Sequence, residues 1–222
     1  MDYSHSNILL IGDSRVRRIG EFASTYRPDL FNYCEIIPFS GKTLNYIIGK
    51  MLDILKNVKY EVVIVLAGVN DLNNKGVNGI SLNDNYINKM PAIMMSEIQF
   101  GVWSAESIAP NTRIIFCPEL GLCASKYNDY LSGLDCSAKK YDNLDDLQKL
   151  LIQKLKKFNE NVVSFNDRAS LPTPLFHRRM FHKYKNRGIR CAFSLLQDGI
   201  HQSDEFSNII IDSLIECILK IE

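Results

Sequence analysis

Three side chains in two short segments are sufficient for nucleophilic acyl chemistry: the hydroxyl of Ser14, the carboxylate of Asp198 and the imidazole of His201. A serine hydroxyl is a poor nucleophile until an imidazole takes its proton, and the imidazole needs a carboxylate to fix its tautomer and stabilise the imidazolium. Asp198 and His201 stand three positions apart in Asp198-Gly199-Ile200-His201, so one turn of chain brings them within hydrogen-bonding reach. Ser14 follows Gly12-Asp13 nearly the whole chain earlier, which is no obstacle if both segments end at one edge of one sheet. An attacked acyl carbonyl develops an oxyanion, and Ser40-Gly41 and Gly68-Val69-Asn70-Asp71 offer donors for it. A glycine at a strand end lets backbone N–H approach a substrate, and an asparagine amide donates without charge. The expected oxyanion hole is therefore the N–H of Ser14, the N–H of Gly41 and the side chain of Asn70.

These elements must be positioned by strands. Residues 7–11, 33–37, 61–67, 112–117 and 161–165 read as five buried strands, rich in Ile, Val and Leu as a parallel sheet covered on both faces requires. Leu44, Ile47, Ile48, Met51, Leu52 and Leu55 form one helical stripe between them, and Leu144, Leu147, Leu150, Leu151 and Leu155 a second. Residues 204–220 read as a last helix, capped by Ser203 with Asp204 and Glu205 in its first turn. This alternation predicts a three-layer α/β/α sandwich around a five-stranded parallel sheet, with right-handed crossovers and a site at the carboxyl ends of the strands. Ser14, Gly41 and Asn70 each follow one of the first three strands, so three βα turns converge on one edge.

With these blocks in this order the chain resembles the SGNH (GDSL) hydrolase family, whose name lists a serine, a glycine, an asparagine and a histidine in separate segments. The matching segments are Ile8 to Arg15, Gly41, Gly68 to Asp71, and Asp198 to His201, and they span almost the full length. The resemblance implies a flavodoxin-like fold and acyl transfer to Ser14, with His201 as base then acid, Asp198 orienting it, and water resolving the acyl-enzyme. It calls for no cofactor and no metal. Asp13 is expected to support the first turn and Asp71 the third loop. Arg15 and Asp71 are expected at the substrate pocket. The chain departs from the family pattern at Arg15, where an apolar residue is common, and at Gln202, where proline or leucine is common.

Composition fits one domain over residues 1–222. Of these residues 46% are hydrophobic and 23% charged, and 26 Lys and Arg nearly balance 25 Asp and Glu, which gives no sign of a polyanionic partner. The six cysteines lack metal-ligand or redox spacing, and most adjoin apolar runs, so they read as small core residues in a reduced compartment. The N-terminal residues are polar and carry no signal-peptide pattern, which predicts a cytoplasmic or nuclear location.

Ser40-Gly41-Lys42-Thr43 resembles the end of a phosphate-binding loop. The pattern demands glycine where Ile36 stands, Pro38 removes a backbone donor, and the third strand ends in Ala67-Gly68 without a metal-binding acid, so nucleotide binding is set aside. The segment 176–190 carries Arg178, Arg179, Lys183, Lys185, Arg187 and Arg190 with interleaved aromatics and no acid. It reads first as a solvated loop, and alternatively as a surface for nucleic acid or another anionic partner. The alternative to an esterase is thus a catalytically silent interaction domain of the same fold. Esterase-like domains of this family also occur in proteins of some retrotransposons, a setting that the Gly-Asp-Ser-Arg form permits. Residues 73–85 and 119–140 are expected to shape specificity, and neither reads as a lipase lid, which favours a short, acetyl-type ester.

Overall fold

The computed structural model describes residues 7–76, 79–135, 145–184 and 188–221. In chain order its elements are β1 (Ile8–Gly12), α1 (Ser14–Tyr26), β2 (Glu35–Pro38), α2 (Leu44–Leu55), β3 (Val62–Leu66), β4 (Asn74–Gly76), β5 (Gly79–Ser81) and α3 (Asp84–Ile108). There follow β6 (Arg113–Phe116), α4 (Ala124–Leu131), α5 (Asp146–Arg168), α6 (His177–Met180), β7 (Phe181–Tyr184), β8 (Gly188–Cys191) and α7 (Asp204–Ile218).

The central sheet is parallel throughout and runs β2-β1-β3-β6, with register Leu10 to Ile36, Leu10 to Ile64 and Ile64 to Ile115. Side chains alternate across a strand, so the uninterrupted run Val-Val-Ile-Val-Leu of β3 feeds both faces. Val63 and Val65 join Leu9, Ile11, Ile114 and Phe116 under α2, α3 and α5; Val62, Ile64 and Leu66 join Leu10 and Ile115 under α1 and α7. This is the predicted three-layer sandwich, with Ile47, Ile48, Met51 and Leu55 of α2 buried as the stripe requires. Each fully buried Val, Leu or Ile contributes about 1.5–3 kcal/mol. The last helix begins where expected, with the Ser203 hydroxyl accepting from Phe206 N–H at 3.2 Å. No helix among the described residues is long and apolar enough to cross a membrane.

The sheet has four strands among the described residues, and the predicted fifth, 161–165, lies inside helix α5. Local β-propensity at Val162 and Val163 yields there to a longer helical stripe, Leu151, Leu155, Phe158 and Val162, that packs on the β-sheet core. The same helix serves the open edge that a fifth strand would have paired. The Asn166 carboxamide accepts from Phe116 N–H at 3.4 Å and donates to Phe116 C=O at 2.9 Å. Asn159 does the same for Glu119, at 2.7 and 2.8 Å. Two side-chain amides thus stand in for strand peptides, and buried backbone groups keep their partners.

Cys34, Cys117, Cys123 and Cys217 are buried, Cys191 is half-buried, and all five are free thiols; Cys136 lies outside the described residues. Burial raises the Cys34 thiol to about 12, as expected of core cysteines without redox duty.

Candidate active site

Ser14 is brought to the sheet edge by the sharp passage from β1 into α1. Gly12 can only be glycine: a Cβ there would lie 1.9 Å from the Leu66 carbonyl oxygen of β3. Asp13 is fully buried and caps α1, accepting from Arg15 N–H at 2.9 Å and from Gly68 N–H at 3.3 Å. Burial pushes its carboxyl up, opposed by the Arg15 guanidinium and these N–H groups. One side chain therefore supports the first turn, as expected, and ties it to the third loop.

Across the edge, His201 arrives on the loop before α7. Its Nε2 lies 3.1 Å from Ser14 Oγ and its Nδ1 2.7 Å from Asp198 Oδ2. Asp198 Oδ1 accepts from Ile200 N–H at 2.9 Å and His201 N–H at 2.7 Å, closing the tight turn that the spacing predicts. Burial, the largest influence on Asp198, would raise its carboxyl; the His201 ring and these two N–H groups outweigh it and hold the group at about 2. The carboxylate therefore stays ionised beside the ring. The turn needs Gly199, at φ +92°, where a Cβ would meet Cys123 O and Tyr127 N at 2.6 Å each. Cys123 N–H donates to Gly199 C=O at 2.7 Å, so the start of α4 lies directly on the loop that carries Asp198 and His201.

The second and third loops are joined to each other. Asn70 Nδ2 donates to Lys42 C=O at 2.9 Å, placing the carboxamide beside the Gly41 turn. Asp71 Oδ2 accepts from Leu44 N–H at 2.8 Å, at the N-terminus of α2. Burial lifts the Asp71 carboxyl to about 6, against the pull of that N–H. Asp71 thus holds the third loop, and this helix-capping bond occupies one oxygen of the carboxylate expected at the substrate. Gly41 is exposed, at φ +75°, with open space where a Cβ would point. Phe39 N–H donates to Gly12 C=O at 2.7 Å, which sets the second loop beside the first. The N–H of Ser14 opens α1, where first-turn N–H groups lack intrahelical partners.

Arg15 is not at a pocket surface. It is 0% exposed, so it has no face with which to meet a substrate, contrary to the expectation from sequence. Its Nε and Nη2 donate to Ile200 C=O at 3.2 and 3.0 Å, Nη2 also reaches Gly121 C=O, and Nη1 is ion-paired with Glu119. Burial is the main influence on the guanidinium, lowering it to about 10, and Asp13 and Asp198 oppose the shift. It remains a cation at neutral pH. Glu119, also fully buried, accepts from Leu120 N–H at 2.9 Å and Gly121 N–H at 3.2 Å. Gln202 donates from Nε2 to Arg15 C=O at 2.9 Å. Glu119 was legible only as the first residue of a long insertion, since nothing local marks an acid whose partner lies 104 positions away.

The two segments expected to shape specificity meet each other. Asn128 of α4 accepts from Ile80 N–H at 2.9 Å and donates to Ile80 C=O at 3.0 Å, clasping the β4–β5 hairpin. Tyr127 of the same helix has its hydroxyl raised by burial and by the Asp198 charge. Of the basic segment, Arg178 and Arg179 are exposed on α6 and Lys183 and Arg190 lie on the β7–β8 pair, while Lys185 and Arg187 fall outside the described residues. Arg178 shares its groove with Glu160 and Asp167 of α5, so acids stand close to that end of the segment.

Neither a protein-family model nor a curated protein sequence matches the chain. Solved structures do. A GDSL-like lipase from Bacteroides thetaiotaomicron superposes with a TM-score of 0.61 at 16% identity, over 97% of this chain and 88% of that one. An acetylxylan esterase from Geobacillus stearothermophilus gives 0.55 at 11% identity, over 96% and 95%. A lipase/acylhydrolase from Enterococcus faecalis gives 0.53 at 14%, over 94% and 93%. The chain has the fold of the GDSL-like lipases and acylhydrolases.

Proposed function

We propose that the chain is a serine esterase that forms an acyl-enzyme on Ser14. The observation that carries this reading is the unbroken relay from Asp198 through His201 to the Ser14 hydroxyl, at 2.7 and 3.1 Å. With Nδ1–H donated to the ionised Asp198, His201 Nε2 carries the lone pair that accepts the Ser14 proton. Ser14 Oγ then attacks the ester carbonyl carbon, and the carbonyl oxygen takes the negative charge. The N–H of Ser14, the N–H of Gly41 and the Asn70 amide are the donors proposed for that oxyanion. The His201 imidazolium returns its proton to the leaving alkoxide as the C–O bond breaks. Water, deprotonated by His201, attacks the acyl-Ser14 and regenerates the hydroxyl. Every step is a proton transfer or acyl transfer among these groups, so none draws on a cofactor.

A short, acetyl-type acyl group is the proposed substrate class. Among the described residues, the segments expected to shape specificity form a small hairpin clasped by Asn128 and an eight-residue helix, neither of them a long apolar lid, and an acetylxylan esterase shares the fold. A silent binding module has no need of a serine, histidine and aspartate held in relay geometry, which sets that alternative second. Hydrolysis of p-nitrophenyl acetate and butyrate by the protein, beside Ser14→Ala and His201→Ala, tests the reading. The expected result is a preference for acetate that both substitutions abolish; folded protein with no turnover of either ester moves the reading to the binding module.

A further inference from the structure

We propose that Arg15 is the positioning residue of the triad, a buried cation that fixes where His201 stands relative to Ser14. Its backbone adjoins Ser14, so it moves with the nucleophile. Its side chain reaches Ile200 C=O, immediately before His201, while Gln202, immediately after His201, reaches back to Arg15 C=O. Residues on both sides of the base are thus bonded to the residue beside the nucleophile. Two attachment points restrain rotation of the loop as well as its distance. Glu119 supplies the third anchor: the guanidinium pairs with a carboxylate that Leu120 and Gly121 N–H groups hold and that the Asn159 clamp fixes through its backbone.

The two places where the chain departs from the pattern of the family it resembles, Arg15 and Gln202, are therefore partners in one buried network. Packing alone gives no reason for this exchange, because a buried ion pair is commonly no more stable than apolar residues of similar volume. Directional bonds differ from apolar contacts in fixing geometry. A planar guanidinium with several donors spans Ile200, Gly121 and Glu119 together, and a lysine ammonium at the same place cannot reach all three.

The kinetic test rests on the esterase reading, and a spectroscopic test does not. The unmutated protein is compared with Arg15→Lys, which keeps the charge, and with the paired change Arg15→Leu/Glu119→Leu, which removes both members of the ion pair together and serves if the lysine variant does not fold. For a variant with a cooperative melt, kcat on p-nitrophenyl acetate should fall ~10–100-fold while KM stays within about twofold. The low-field proton resonance of His201 Nδ1–H should shift or broaden. A folded variant with unchanged kcat and an unmoved resonance overturns the proposal. Should the unmutated protein hydrolyse no ester and resist a fluorophosphonate, the esterase reading fails on its own. The resonance then decides: moved by Arg15→Lys or by the paired change, it supports positioning, and unmoved it refutes it.

Discussion

The two halves of the site are built on opposite principles. Around Ser14 and His201 the supports are buried ionisable side chains: Asp13, Arg15, Glu119 and Asp198 sit in the interior, each with several fixed partners. Around Gly41 and Asn70 the chain is more exposed, and two bonds, Asn70 to Lys42 and Leu44 to Asp71, join the second and third loops. The groups proposed to exchange a proton are thus held more tightly than those proposed to receive the carbonyl oxygen. Preorganisation matters most where a small displacement breaks proton transfer.

The contrast is sharpest under substitution. Asp198→Asn removes the charge and reverses the preferred tautomer of His201, and kcat should fall about 10⁴-fold with little change in KM; steady-state kinetics on p-nitrophenyl acetate reads it. Gly199→Ala forces a Cβ into Cys123 O and Tyr127 N at 2.6 Å. It should lower stability by about 3 kcal/mol or more in urea titration and detach the loop that carries Asp198 and His201. Asn70→Ala removes one proposed oxyanion donor, for a loss of about 10²–10³ in kcat. Gly41→Ala places its methyl in open space and meets only the strain of φ +75°, about 1–2 kcal/mol. Equal stability losses at Gly199 and Gly41 would erase the distinction between the halves.

Acidity separates the halves as well. Asp198 is held at about 2, below its ordinary 3.8. Its ionisation favours the fold above pH 4, and that contribution is lost as pH falls towards 2. Asp71 is raised to about 6, so the fold holds its proton more tightly than the unfolded chain. Its contribution is complete below pH 3.8 and is lost as pH rises through 6. Thermal melts from pH 4 to 7 should therefore show Asp71→Asn gaining relative to the unmutated protein as pH rises. Melts of Asp198→Asn carried from pH 4 down towards 2 should show its deficit shrinking.

Much of this was legible because it is local. β-Branched runs predict β1, β2, β3 and β6, and Ser14, Asp198 and His201 stand where strand ends and a four-residue turn put them. The misread stretch at 161–165 has strand-like residues in a helix whose register is set by Leu151, Leu155 and Phe158, outside the window that propensity samples. Arg15 was misread for a different reason. An arginine beside the proposed nucleophile reads as a substrate contact, and only the distant Glu119, Gly121 and Ile200 bury it. Long-range pairing of charges leaves no periodic trace in a sequence.

The central claim, that Ser14 is a nucleophile activated by His201, is tested most directly by fluorophosphonate labelling read by peptide mass spectrometry. The account predicts one adduct, on Ser14, that forms at neutral pH and is lost in folded His201→Ala. Absence of an adduct from the natively folded protein, or equal labelling when His201 is removed, would contradict it.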